Sequence, residues 1–165
     1  MTDRVLMPST PPLPSPALSP GAIDDLLSAA EQALAQAYAP YSRLRVGAVV
    51  LTARGGRYAG CNVENRAYPL GGCAEHHAIA AAVQAEGPTV RLTAVAIAAR
   101  DAEDRAVPIP PCGGCRQKLM EFSDGLQVAF LDASGRVAVH SLADLLPASF
   151  ELPPAASLSA EPASR

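Results

Sequence analysis

The sequence predicts a three-layer α/β domain, and three observations carry the prediction. Segments with strand character alternate along the chain with segments of helical periodicity, the pattern of a sheet covered by helices. One strand candidate, Leu92 to Ala99, is almost wholly apolar, as a strand in the middle of a covered sheet must be. Glycine and proline fall between these segments and seldom inside them.

The elements follow in order. Residues 8–20 carry six prolines with serines between them, so residues 1–19 are expected to form an extended, disordered tail. Pro20 suits the first turn of a helix. Ile23, Leu26, Leu27, Ala30, Leu34 and Tyr38 continue it at helical spacing, with Asp24 and Asp25 expected in its favourable first turn and Pro40 ending it. Val46 to Leu51 and Tyr58 to Val63 read as two strands joined at Gly55-Gly56, hence a hairpin. Gly71-Gly72 breaks the chain before a run of strong helix formers, Ala74 to Ala85, which Gly87-Pro88 stops. After the central strand, residues 101–111 are a polar, proline-bearing loop, and Cys112 to Phe122 reads as a helix ended by Asp124-Gly125. Val128 to Leu131 and Val137 to His140 are the last strands, and residues 144–147 a last helical turn. The domain is expected over residues 20–152, with a loose Pro/Ala/Ser tail over 153–165.

Composition narrows the function. With 49% hydrophobic and 18% charged residues the chain is that of a globular domain, and with aromatics at only 4% its core must be Ala, Val, Leu and Ile. A formal net charge of -3 offers no general attraction to nucleic acid or to an anionic membrane, so neither is expected as a partner. No apolar run is long enough to span a bilayer, and prolines follow Met1 to Met7 where a secretion signal would need an apolar stretch. A cytoplasmic location is therefore expected, where clustered cysteines are reduced and more often bind metal than form disulfides.

The chemistry lies in Cys73-Ala74-Glu75 and Pro111-Cys112-Gly113-Gly114-Cys115. A Cys-Gly-Gly-Cys turn and one distant thiol suit tetrahedral zinc, with Cys73, Cys112 and Cys115 as ligands. Cys73 and Cys112 sit where a loop meets a predicted helix N-terminus, whose free N–H groups and dipole favour thiolate. Three ligands leave a fourth position for water, whose pKa zinc can bring to about 7. Glu75, two residues beyond a ligand, can take a proton from that water and pass it to substrate and leaving group. Two competing readings use the same residues. A closed structural site would recruit Cys61 as a fourth ligand, and a redox pair at Cys112 and Cys115 would leave Cys73 and Glu75 without a role.

With those motifs on the page, the chain resembles a cytidine deaminase of the small, three-cysteine, homotetrameric type. The zinc deaminases carry an H-x-E…P-C-x-x-C signature, here with Cys73 in the histidine position. Further matched blocks are Pro40-Tyr41-Ser42, Val46-Gly47-Ala48, Gly60-Cys61-Asn62-Val63-Glu64-Asn65, Tyr68-Pro69-Leu70-Gly71, Arg116-Gln117 and Leu145-Leu146-Pro147, and the likeness runs from about Gly21 to Phe150. It implies an α/β/α fold around a mixed sheet of about five strands. It also implies one zinc per subunit held by the three cysteines, Glu75 as proton shuttle, and hydrolytic loss of ammonia from C4 of cytidine or 2′-deoxycytidine in pyrimidine salvage. Residues matching Asn62 and Glu64 would bind the ribose 3′-hydroxyl, a role that suits an amide and a carboxylate at a strand end, although both types are also common in plain turns. The segment Arg66-Ala67-Tyr68 would reach across a subunit boundary, so that active sites of a homotetramer are shared.

Two positions depart from the family pattern. His76 stands where relatives carry an arginine that offsets the negative charge of a zinc–trithiolate centre, and it is expected to donate to a ligand sulfur, with Arg116 sharing the task. His77 is expected on the helix surface. Leu44 replaces a phenylalanine that lines the base pocket, which keeps the site apolar but gives up ring-on-ring contact worth about 0.5–1.5 kcal/mol. Phe150 is either an aromatic edge offered by a neighbouring subunit or a core anchor. A related zinc deaminase acting on another nucleoside, such as blasticidin S, is the alternative substrate reading, and Asn62 and Glu64 favour plain ribose. Polynucleotide editing lacks a basic, aromatic strand-binding face. A non-catalytic zinc module would have no use for Glu75.

Overall fold

The structure, a computed structural model, describes residues 17–150. The elements in order are α1 (Pro20–Leu34), β1 (Arg45–Thr52), β2 (Arg57–Cys61), a 3-10 turn (Tyr68–Leu70), α2 (Ala74–Glu86), β3 (Leu92–Arg100), α3 (Gly113–Met120), β4 (Ser123–Leu131), β5 (Val137–Ser141) and α4 (Leu142–Leu145). The five strands form one sheet in the order β2-β1-β3-β4-β5, with β3 in the centre as its apolar sequence demands. β1 is antiparallel to both β2 and β3, β3 and β4 are parallel across α3, and β5 returns antiparallel, so the sheet is mixed.

The two faces of β3 explain the three layers. Val95 and Ile97 point into a core with Ile79, Leu119, Leu126, Val128 and Leu142, under α2, α3 and α4. Ala94, Ala96 and Ala98 point the other way, against Leu26, Ala30 and Leu34 of α1. Small side chains on that face let a helix lie close to the sheet. At Gly47 the approach is closest, since a Cβ there would meet the carbonyl oxygen of Ala30 at 2.0 Å. On the other face Ala74, Ala78 and Ala82, spaced by four, are all buried, and a Cβ on Gly60 would meet the N of Ala78 at 2.4 Å. Thus α2 is pressed on β2 as α1 is on β1, and the start of α2 is fixed relative to the end of β2.

Several boundaries differ from the expected ones. Helix α1 starts at Pro20, capped by Ser19, whose Oγ accepts from the N–H of Ala22 at 3.3 Å. Asp24 and Asp25 therefore lie beyond its first turn. It stops at Leu34 and not at Tyr38, because the backbone of Tyr38 pairs with the segment after β2: its N–H donates to Asn62 O at 3.0 Å and its carbonyl accepts from the N–H of Glu64 at 2.8 Å. Strand β4 begins at Ser123, five residues before the apolar run. Leu92 pairs with Ser123 and Ala94 with Gln127, so β4 carries extra residues there, and Gly125 with φ 89° accommodates them. Helix α4 starts at Leu142 because Ser141 caps it, accepting from the N–H of Asp144 at 3.1 Å. Leu18, expected in the N-terminal tail, packs against the α1 core, and its N–H donates to Gln127 Oε1 at 3.3 Å. The remainder of that tail before Ala17, and the C-terminal tail over 153–165, fall outside the described residues.

Candidate functional site

Two helix starts bring the three sulfurs together. Cys73 is the N-cap residue of α2 and Cys112 that of α3, both with extended backbone, and Cys115 lies in the first turn of α3. Neither cap cysteine uses its side chain to satisfy the helix end, so both sulfurs are free to turn toward each other. All three Sγ atoms lie within 4.8 Å of one another, and the Cys73 and Cys112 pair stands at 3.9 Å. Zinc–sulfur bonds of about 2.3 Å at tetrahedral angles place two sulfurs about 3.8 Å apart, so the trio fits a zinc ion. Cys61 is not in the group, and among the described residues no other cluster of three or more potential ligands occurs. A closed four-cysteine cage is thus absent from this arrangement.

The ionisation of the thiols follows from their contacts. A hydrogen bond from Cys115, and a weaker one from Cys112, bring Cys73 down to about 6, against the opposing effect of partial burial and of Glu75. Cys115, only 1% exposed, is driven the other way, because it keeps the proton it shares with Cys73 and is buried. Of these two, Cys73 borders the cavity and Cys115 does not.

Glu75 is only 4% exposed. Burial pushes its carboxyl above the usual carboxylate range, with its own backbone N–H, the Cys115 thiol and the charge of Lys118 pulling partly back. It borders a cavity of about 470 Å³ that also takes in Cys73, Cys112, Leu44, Asn62, Glu64 and Tyr68. The volume lies in the range of about 300–1,000 Å³ of small-molecule sites. Its apolar surface comes from Leu44, Val46, Ile97, Ile109 and Pro110, of which only Leu44 was singled out from the sequence.

The polar part of the cavity comes from the end of β2. Asn62 is held at both ends of its amide: Oδ1 accepts from the N–H of Val46 at 2.8 Å, and Nδ2 donates to Leu44 O at 2.9 Å. One N–H and one lone pair of that amide remain for a ligand. The Glu64 carboxylate accepts from the N–H of Tyr41 at 2.8 Å, from the N–H of Ser42 at 3.3 Å and from the Ser42 hydroxyl. The Ser42 hydroxyl and the Tyr41 N–H hold its pKa below the ordinary value, so it is a fixed anion. Ser42 is a site residue that sequence reasoning passed over; the Pro40-Tyr41-Ser42 block carried no local hint that it meets a carboxylate 22 positions on.

Tyr68 borders the cavity but is 79% exposed, edge-on to Tyr41 at 6.4 Å. Ala67 lies outside the lining, with its N–H donated to Asn65 Oδ1 at 2.9 Å. His76 is exposed, stacked on His77 at 5.6 Å, and borders a second cavity between α2 and α3 with Lys118; no hydrogen bond joins it to a sulfur. His77 is not the surface residue expected of it: it is half-buried, with Nδ1 2.8 Å from Cys61 O. Arg116 donates to Pro111 O and to Leu145 O, both at 2.9 Å, and so braces the loop that delivers Cys112 against α4. Lys118, one turn beyond Cys115, is the cation whose charge reaches Cys73 and Glu75, and no motif along the chain marks it. Phe150 is exposed, so it is no core anchor; its backbone is clasped by Gln117 through bonds of 2.8 and 3.0 Å.

Comparison with known proteins agrees with this geometry. Residues 22–130 match the family described as the cytidine and deoxycytidylate deaminase zinc-binding region. A cytidine deaminase of Sporosarcina psychrophila is 37% identical over 129 residues, which cover 78% of this chain and 90% of that protein. The crystal structure of cytidine deaminase from Burkholderia pseudomallei superposes with a TM-score of 0.66 at 39% identity, covering 81% of this chain and all of that one. The cytidine deaminase of Mycobacterium tuberculosis gives 0.64 at 40% identity over 78% of this chain and 97% of its own. The chain, from its α1 helix to its fourth strand, belongs to the cytidine and deoxycytidylate deaminase zinc-binding family.

Proposed function

We propose that the protein hydrolyses cytidine and 2′-deoxycytidine to uridine and 2′-deoxyuridine with release of ammonia, using one zinc ion per chain held by Cys73, Cys112 and Cys115. The observation that carries this reading is a buried carboxyl, Glu75, in one cavity with two of the sulfurs and with the fixed polar pair Asn62 and Glu64. When bound, zinc supplies Lewis acidity that brings a proton of water within reach of a carboxylate. Glu75, its pKa raised by burial, takes one proton from the water and gives it to the ring nitrogen next to C4, then moves the second, from the hydroxyl now on C4, to the departing amino group, so both protons come from the one water. Glu64, held as an anion, accepts from a ribose hydroxyl, while the spare N–H and lone pair of Asn62 complete the grip. Leu44, Val46, Ile97 and Ile109 surround the base with apolar surface and keep bulk water from the reacting carbon. Arg116 holds the Cys112 loop in place, and Lys118 lessens the negative charge around the sulfurs.

The large apolar surfaces of Val63 and Tyr68 stand exposed at this cavity. They support a homotetramer in which neighbouring subunits complete each site, Ala67 and Tyr68 lying on the shared boundary. Among the described residues no helix is long and apolar enough to cross a membrane. We place the activity in cytoplasmic pyrimidine salvage. The test is an absorbance assay for loss of cytidine: turnover by the purified protein, abolished by a zinc chelator and restored by zinc, is the expected result. Absence of turnover in the zinc-loaded protein contradicts the reading.

A further inference from the structure

His77 makes a contact that the chemistry above does not use. Its Nδ1 lies 2.8 Å from the carbonyl oxygen of Cys61, the last residue of β2. A carbonyl oxygen can only accept, so Nδ1 carries the proton and donates. The ring fits a slot that exists because residue 72 is glycine: a Cβ there would stand 2.4 Å from Cε1 and 2.5 Å from Nε2. Gly72 in turn exchanges two backbone hydrogen bonds of 2.9 Å with Val63. The segment bearing Asn62 and Glu64 is therefore tied at Cys61 by His77 and at Val63 by Gly72. These two ties flank Cys73 and Glu75 in sequence, Gly72 just before and His77 just after. His77 itself does not line the cavity.

We propose that His77 is a positioning residue that sets the reach between the two halves of the site. Its bond to Cys61 O fixes the strand end that grips the sugar relative to the helix start that carries Cys73 and Glu75. The inference rests on the nucleoside reading given above and deepens it. With the tie cut, the Asn62 and Glu64 groups remain but no longer sit in register with a base lying over Glu75. Such misplacement weakens substrate and transition state alike, which raises KM and leaves kcat largely alone.

The experiment is a comparison of His77→Ala, His77→Asn, Gly72→Ala and the double variant His77→Ala/Gly72→Ala, each checked for zinc content. His77→Ala is expected to raise KM for cytidine roughly fivefold to tenfold, the scale of one lost hydrogen bond, with zinc retained and kcat changed by less than about twofold. His77→Asn, whose side-chain amide places an N–H at the position of Nδ1, restores KM to near the parent value. Gly72→Ala pushes the ring out of its slot and reproduces the KM rise. On the His77→Ala background it adds less than about twofold, because the ring it displaces is gone. An unchanged KM in His77→Ala, no rescue by Asn, or fully independent effects of the two positions overturns the proposal. Amide hydrogen exchange at residues 62–64 reads the tie without substrate. It quickens roughly tenfold in His77→Ala and not in His77→Asn, and unchanged exchange overturns the proposal whatever the substrate. A zinc-loaded parent that fails to convert cytidine while exchange behaves as described counts against the nucleoside reading alone.

Discussion

Two carboxylic acids on one cavity are pushed in opposite directions by their surroundings. Burial raises Glu75, whereas the Ser42 hydroxyl and the N–H groups of Tyr41 and Ser42 hold Glu64 down. A pair of titratable groups driven apart in this way supports the proposed roles, Glu75 as the group that exchanges protons and Glu64 as the one that stays charged. The same contacts make a prediction about folding. A carboxylate with a lowered folded-state pKa stabilises the fold above its unfolded pKa and loses that contribution as pH falls through the folded value. Glu64→Gln should therefore melt below the parent at neutral pH, and the gap should close as the pH falls below the ordinary carboxylate value toward the lowered folded one. A gap that persists unchanged to the acid end contradicts the assigned contacts. At this scale the sequence was informative where chemistry is local. Cys73, Glu75, Cys112 and Cys115 stand in short motifs with a meaning of their own. Ser42, Lys118 and His77 act through partners brought near only by folding, such as Glu64 or the Cys61 carbonyl, and no spacing along the chain announces that.

Among the elements, helices α1 and α2 lie on opposite faces of the β1–β2 hairpin, each pressed against a strand glycine. A methyl group at Gly47 would meet Ala30 O at 2.0 Å, and one at Gly60 would meet Ala78 N at 2.4 Å and Ala74 O at 2.5 Å. All of these are backbone atoms, so the helix has to move. Gly47→Ala and Gly60→Ala should each cost about 1–3 kcal/mol or more in denaturant unfolding. Their effects on activity should differ. Gly60→Ala displaces the first turn of α2 with Cys73 and Glu75, so it should lower cytidine turnover well beyond Gly47→Ala at temperatures where both are folded. Equal losses would show that the helix start is not held by this contact. The strands and helices were readable from alternation and period, but their ends were not. Tyr38 continues a helical pattern yet pairs with the chain after β2, and residues 123–127 look like a helix stop yet form strand, because in both places tertiary backbone pairing outweighs local preference.

At the scale of the fold the sulfur site is the junction of two helix starts on one face of the sheet, while among the described residues α1 is the helix that packs on the other. An ion held there by Cys73, Cys112 and Cys115 would join the start of α2 to the start of α3. Chelation should lower Tm and quicken amide exchange around residues 73–76 and 112–116, while α1 keeps its protection; uniform loosening of both faces would argue against so local a junction. The architecture was legible because β3 is apolar on both faces and helical segments alternate with strands. The cavity was less so, since Ile97, Ile109 and Pro110 reach it from a strand and a loop whose sequences read as plain core and plain connection.

The central claim is that Glu75 moves protons beside a three-sulfur zinc site to deaminate cytidine. Its most direct measurement is the cytidine turnover of Glu75→Gln, with zinc content determined on the same sample. The account predicts one zinc per chain, as in the parent, and a kcat lower by about 10²–10⁴-fold. A zinc-loaded Glu75→Gln that turns cytidine over at the parent rate would contradict it.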